Sequence, residues 1–204
     1  MKSNVNTQIK NSQKLKDEIT LYFSNIFQNK KDNATTKEII LLVHYSIFIE
    51  HYDSIICLFE RRNFGSAIAL LRTLLDTEYR GLWLISVAKD DEMKDYLDDK
   101  LHLHQQHIFE ELDKAYDTDK YFQTEKKNAW KVLSDYTHTG IYQVRKRLKG
   151  NKIGSYYTDE DILTTLEVME KNLLLFTYLA FNELGKNDKA NYLRKKLENR
   201  KPLI

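Results

Sequence analysis

At 204 residues the chain is long enough for one domain with a sizeable core, or one domain with a small appendage. Basic and acidic residues nearly cancel, at a net charge of +2, so overall charge singles out no polyanionic partner. The one cysteine, Cys57, excludes an intrachain disulfide and suits a reducing cytosol, while six Gly and a single Pro, Pro202, leave little to interrupt long helices.

The N-terminal stretch MKSNVNTQIKNSQKLKDE holds no apolar signal-peptide core. A first amphipathic helix is expected over residues 8–28, where Ile9, Leu15, Ile19, Tyr22, Phe23 and Ile26 are helically spaced. Asn29–Asn33 is a polar break. Thr35 followed by Glu38 forms a capping box, so a second helix begins there and runs to about Arg62. His44 and His51 share one of its faces and read as core or boundary histidines. Cys57 reads as a small buried hydrophobe. The longest uninterrupted apolar runs, Ile39–Val43 and Leu173–Phe176, fall short of the roughly 20 residues that cross a bilayer. A soluble, cytoplasmic protein without a membrane partner is expected.

Asn63–Gly65 predicts a tight turn, with Ser66 as the cap of the helix that follows. That helix, FGSAIALLRTLLDTEYRGLWL over residues 64–84, is apolar nearly all round and belongs at the centre of the fold. Arg72, Asp76 and Arg80 nonetheless recur every fourth residue, with Tyr79 and Trp83 beside them, and form one polar stripe. Gly81 marks a place where another helix can come close. The second and third helices make an antiparallel hairpin.

After Lys89–Asp91 a fourth helix is expected as far as Tyr116. His104, His107 and Glu111 fall at ligand-like spacing within it, but their order is not the Glu-x-x-His of bundle metal sites. A polar exposed face is therefore expected there, and neither a metal nor any other cofactor is assigned. A fifth helix starts near Tyr121 and reaches Gly140, a C-terminus or bend. Tyr142–Lys149 predicts a short basic helix and Gly150–Tyr157 the longest loop. Thr158 with Asp161 caps a helix over about 159–184, ended by Gly185, and a short basic helix covers 187–199. The fold class is all-α, an antiparallel bundle of about six to eight helices in a single domain over 1–204. Its parts are an N-terminal helix and linker (1–33), a core bundle (35–185) and a basic C-terminal helix and tail (186–204).

A second candidate block is SDYTHTGIYQVRKR, residues 134–147. Helical spacing sets Asp135, Tyr142 and Arg145 on one side with His138. A carboxylate beside an imidazole fixes its tautomer, and an arginine on that face holds a phosphate. Should this block meet the Arg72–Asp76–Arg80 stripe, the two would enclose a pocket fit to hold a phosphodiester and move a proton. No Gly-rich nucleotide loop, Cys-x-x-Cys, His-Glu-x-x-His or Gly-x-Ser-x-Gly motif is present.

ALLRTLLDTEYRGLWL together with LSDYTHTGIYQVR resembles an uncharacterised bacterial family of helical proteins over about residues 40–182. That family carries an Arg-x-x-x-acid-x-x-x-Arg-Gly-Leu-Trp-Leu block and a later Asp-Tyr-Thr-His-x-Gly block. More remotely the layout is similar to HEPN-type and abortive-infection proteins. The resemblance implies a metal-independent RNase or effector in phage defence or toxin systems, acting as a cytoplasmic homodimer on RNA. In the RNases an Arg-x(4–6)-His motif marks the active site; here His138 and Arg145 come in the reverse order. On that reading His138 is the general acid or base, with Arg72, Arg80 and Asp76 in the catalytic group. Tyr79, Trp83, Asp135, Tyr142 and Arg145 contact the substrate. The alternative expectation is a non-catalytic helical module that binds a protein partner or small ligand, with Arg72–Asp76–Arg80 as a structural ion ladder.

Overall fold

The computed structural model describes residues 3–27 and 34–200. The break expected over Asn29–Asn33, the side chain of Ile26, and Pro202 in the tail lie outside the described residues. The described chain is an all-α bundle: α1 (Ser3–Phe27), α2 (Thr36–Glu60), α3 (Phe64–Ser86), α4 (Asp90–Leu97), α5 (Gln105–Ala115), α6 (Tyr121–Thr137), α7 (Ile141–Arg145), α8 (Asp159–Glu183) and α9 (Asn187–Glu198). Between α7 and α8 stand two-residue strands, β1 (Leu148–Lys149) and β2 (Lys152–Ile153), paired antiparallel.

Local sequence accounts for most of the boundaries. Thr35 and Glu38 close the capping box of α2, and Thr158 and Asp161 close that of α8. Gly185, with φ of +67°, takes the left-handed position that ends α8, and Lys186 N–H donates back to Phe181 O at 2.8 Å. The hairpin turn differs from expectation. Arg62 carries the left-handed conformation, Asn63 N–H bonds Leu58 O at 2.8 Å, and α3 opens at Phe64, so Ser66 lies inside the first turn and caps nothing. Gly65 serves packing instead. A Cβ there would stand 2.7 Å from the hydroxyl of Tyr157, which closes over the start of α3.

The core forms where α2, α3 and α8 meet. Phe48, Tyr52, Leu74, Leu82, Trp83, Leu173 and Phe176 are fully or almost fully buried. Gly81 lies at the crossing. A Cβ on it would come within 2.9 Å of His44 Cβ and 3.1 Å of Phe176 Cζ. The close approach inferred from Gly81 is therefore made simultaneously by two helices. α1 packs along α8 and α2, stacking Phe23 on Tyr45. α5 and α6 cover the other side of α3, where Tyr79 meets Phe109, Phe122 and Trp130.

Four expectations are corrected. The fourth helix is two helices, α4 and α5, because Asp99 turns left-handed (φ +57°) and Lys100 N–H closes back on Asp95 O at 2.8 Å. The segment between them alternates: Leu101 and Leu103 half-buried, His102 and His104 exposed, which is the period of an extended chain. The loop over Gly150–Tyr157 contains half of the β1–β2 hairpin. Cys57 is exposed rather than buried, because α2 leaves one face open. That helix is also long and apolar enough, by length and composition, to cross a membrane. Counting uninterrupted runs missed this, since His44 and Ser46 break the run without making the whole window polar. Within the bundle 44% of that window is buried.

The crossing at Gly81 gives a direct test. His44 Cβ is fixed to the α2 backbone and cannot swing away, so Gly81→Ala must separate two helices. Overpacking costs about 1–3 kcal/mol, against roughly 1 kcal/mol regained in helix propensity. Thermal denaturation followed by circular dichroism should show Gly81→Ala melting below wild type by a few degrees; an equal or higher midpoint would contradict the packing described.

Candidate functional site

The polar stripe on α3 is present, but its members do different things. Arg80 Nε donates to Asp76 Oδ1 at 3.3 Å, and Gln105 Nε2 donates to the same oxygen at 2.8 Å. Asp76 thus ties α3 to the first residue of α5. Arg72 points elsewhere, its guanidinium 4.9 Å from the Trp130 ring centroid on α6. Tyr79 and Trp83 are core residues, 4% and 2% exposed, which places both out of reach of a ligand and corrects their expected role in contacting substrate. The cause is helical phase: they share a side of α3 with Leu75 and Leu82, the side that α5 and α6 cover.

The Asp76–Arg80 pair does gain neighbours that its own helix does not reveal. His44 Nδ1–H donates to Ile40 O at 3.0 Å, which leaves Nε2 free to accept from the Tyr96 hydroxyl at 3.2 Å. Burial lowers the His44 pKa and outweighs the Ile40 bond, and the Arg80 charge lowers it further. Burial raises the Tyr96 pKa, with Arg80 acting downward and Asp76 upward. These four residues share one electrostatic neighbourhood on α2, α3 and α4. Sequence reasoning missed His44, Tyr96 and Gln105 as its members. Only the burial of His44 was legible, from its place in an apolar helix.

The block around His138 is built differently from the expected constellation. Asp135 does not serve the imidazole: its Oδ2 accepts the Tyr142 backbone N–H at 2.6 Å and caps α7. Gly140 is required because any Cβ would collide with that carboxylate. The left-handed residue that ends α6 is Thr139 (φ +55°), not Gly140. His138 is the C-cap of α6 and is exposed, as are Tyr142 and Arg145.

The Asp76–Arg80 pair and His138 lie at different heights, whereas Arg72, only about 4–5 Å along the axis from Ala69, is near the level of His138 but turned onto Trp130. α6 runs antiparallel to α3, with Thr137 Oγ1 3.5 Å from Ala69 O and Phe122 against Tyr79. His138 is therefore level with the first turns of α3. Arg80 is eleven residues beyond Ala69, roughly 16 Å further along the axis at 1.5 Å per residue. Among the described residues no side-chain hydrogen bond or ion pair joins His138 to Arg72, Asp76 or Arg80. The histidine trio does not assemble either. His104 precedes α5 as its N-cap, and no group of three or more metal-ligating side chains is found among the described residues.

One concave surface lies between α3, α6 and α8, a groove of about 380 Å³. Its floor is apolar, from Ile68, Leu71, Val132, Leu133 and Val168 with the buried Tyr136, and its rim carries Thr164, Glu160 and Asp161. Asp161 is already engaged: Lys146 Nζ lies 2.6 and 2.8 Å from its two oxygens, and Thr158 caps through it. Burial pushes the Asp161 pKa up, but those bonds outweigh burial and hold it below the ordinary carboxylate value. Glu160 has no ion pair among the described residues.

The profile of a family of unknown function (DUF6988) matches residues 45–199, well over half the chain, and the chain belongs to that family. Both blocks that carry the sequence resemblance fall inside the matched range. No curated protein and no solved structure matches the chain.

The His44 environment sets a pH dependence. Its folded pKa lies below the ordinary imidazole value of 6.5, so between the two values the unfolded chain binds more protons. The stability that neutral His44 contributes is present above pH 6.5 and declines as pH falls through that window. Urea denaturation of wild type and His44→Gln at a series of pH values should show the wild-type advantage shrinking toward acid. A constant difference would mean that His44 does not titrate on unfolding.

Proposed function

We propose that the chain is a non-catalytic helical module that binds a small ligand in the groove between α3, α6 and α8. The observation that carries this reading is the engagement of the charged residues. Asp76 ties two helices, Asp135 caps a third, and Arg72 lies on Trp130, while the groove has an apolar floor and an unpaired carboxylate at its rim. Arg72–Asp76–Arg80 then works as structural reinforcement. Its ion pair is about one-third exposed, so it contributes roughly 0–1 kcal/mol. The groove volume falls at the low end of small-molecule sites, about 300–1,000 Å³. A compact apolar body with a cationic head matches the floor and Glu160.

Phenethylamine is a suitable probe. Titrated into methyl-labelled protein, it should produce saturable shifts at Leu71, Val132, Leu133 and Val168, and Val168→Trp should abolish them. Absence of saturable shifts in wild type would remove this reading.

A second reading is a HEPN-like RNase or effector of a phage-defence or toxin system, a cytoplasmic homodimer acting on RNA without a metal. It is supported by the exposure of His138, Tyr142 and Arg145 on consecutive elements. His138 would move the proton of a ribose 2′-hydroxyl, and Arg145 or Arg72 would neutralise the phosphate. His138→Ala should then eliminate RNA cleavage by the purified chain, or growth inhibition on expression. Equal cleavage or inhibition by the variant would end the RNase reading.

A further inference from the structure

The segment from α7 through the β1–β2 hairpin meets α3 through Gln143 but adds no apolar side chain to the core, and its composition is unusual for a solvated arm. Ile141, Val144, Leu148 and Ile153 are 54%, 43%, 50% and 89% exposed, and none packs on the hydrophobic core. Residues 141–157 contain five basic side chains and no acidic one. Lys146 is committed to Asp161, but Arg145, Arg147, Lys149 and Lys152 are exposed and make no ion pair among the described residues. The arm is nevertheless built to a defined shape. The Lys146–Asp161 pair anchors it to α8, Gly154 N–H bonds Arg147 O at 3.0 Å, and Tyr156 N–H bonds Lys146 O at 2.9 Å. At the tip Gly150 alone of the two loop residues has positive φ, which is the pattern of a tight type II′ turn.

Register gives the hairpin two unlike faces. Leu148 stands opposite Ile153, and Lys149 opposite Lys152. Successive residues of a strand point to opposite sides, so one face is aliphatic and the other cationic. Like charges directly across a ladder repel, a cost removed when an anion comes between or beside them. Nucleic acid would satisfy the lysines and could stack a base on Tyr142, 39% exposed, but it would leave Leu148 and Ile153 in water, since aliphatic side chains offer bases no stacking platform. A lipid surface satisfies both. Aliphatic tips enter the boundary between headgroups and acyl chains, and Lys and Arg extend to the phosphates.

We propose that α7 and the β1–β2 hairpin form a docking surface for an anionic membrane. Leu148, Ile153 and the aliphatic side of α7 enter the interface while Arg145, Arg147, Lys149 and Lys152 meet the headgroup phosphates. This is peripheral attachment through an arm, and it is independent of whether the groove binds a ligand.

Sedimentation of the full chain with vesicles tests it. Equal parts phosphatidylglycerol and phosphatidylcholine should carry the protein down, phosphatidylcholine alone should not, and added salt should weaken the binding. Lys149→Ala/Lys152→Ala should reduce partitioning about twenty-five-fold, at about fivefold per basic residue near an anionic surface. Ile153→Asp should reduce it at least tenfold with an unchanged circular dichroism spectrum, because the side chain touches nothing in the bundle. No binding to the anionic vesicles would overturn the proposal. So would Ile153→Asp partitioning like wild type, or a short RNA duplex binding Ile153→Asp and wild type equally and displacing the vesicles.

Discussion

The spacing of the three central helices is set by a single missing side chain. At Gly81 the α3 backbone is bare, and α2 and α8 close on it from two directions through His44 and Phe176. Everything around this contact inherits its geometry. His44 is held against α3 with its Nδ1 bonded to its own helix, which turns Nε2 toward Tyr96 and positions α4. The opposite side of α3 is then free for Tyr79 to organise Phe109, Phe122 and Trp130 from α5 and α6. Close packing of this kind leaves few alternatives, because interiors as dense as crystals do not deform continuously.

Buried polar groups are used to lock the outer helices onto that centre. Glu170 of α8 is 3% exposed and accepts from Gln8 at 2.8 Å, from Ser12, and from Arg200, drawing together α1, α8 and the second residue beyond α9. Asp113 of α5 takes the Thr118 hydroxyl at 2.6 Å and the backbone N–H of Phe122 and Gln123 at 2.9 and 3.2 Å, closing the turn into α6. Burial pushes the Asp113 pKa up, and these bonds outweigh it and bring it below the ordinary value. A buried charge left unpartnered would cost several kcal/mol, so each knot holds its helices in register. The lowered Asp113 carboxylate marks a seam between helices, and a search for chemistry by pKa alone would stop at it.

The periphery is organised by the same economy of space. Gly65 lets Tyr157 close over the beginning of α3, and Asp161 both caps α8 and holds Lys146 at the base of the arm. The groove, the arm and the exposed end of α6 thus share one end of the bundle. The His44–Tyr96–Arg80 neighbourhood sits at the other end of α3. This separation sets the exposed imidazole of His138 apart from the acid–arginine pair on α3.

Sequence alone determined the all-α class, the hairpin of α2 and α3, the capped starts of α2 and α8, the glycine end of α8 and the central place of α3. Each follows from interactions within a few residues: capping boxes, breakers and apolar spacing act locally and leave a readable pattern. It also singled out Gly81, whose cost within a helix asks for a reason. The division of residues 90–116 was written in the Leu-His-Leu-His alternation, a short signal hidden between two helical ones. Tertiary structure alone decided which polar residues meet. Arg72, Asp76 and Arg80 lie on one stripe in sequence, yet they go to Trp130, Gln105 and the neighbourhood of His44, partners supplied by three other helices. Whether Asp135 serves an imidazole or a backbone N–H turned on one left-handed residue, Thr139, which redirects the chain after α6. Helical periodicity fixes which side of a helix a residue occupies. The direction and height at which another helix crosses that side depend on the packing of the whole bundle.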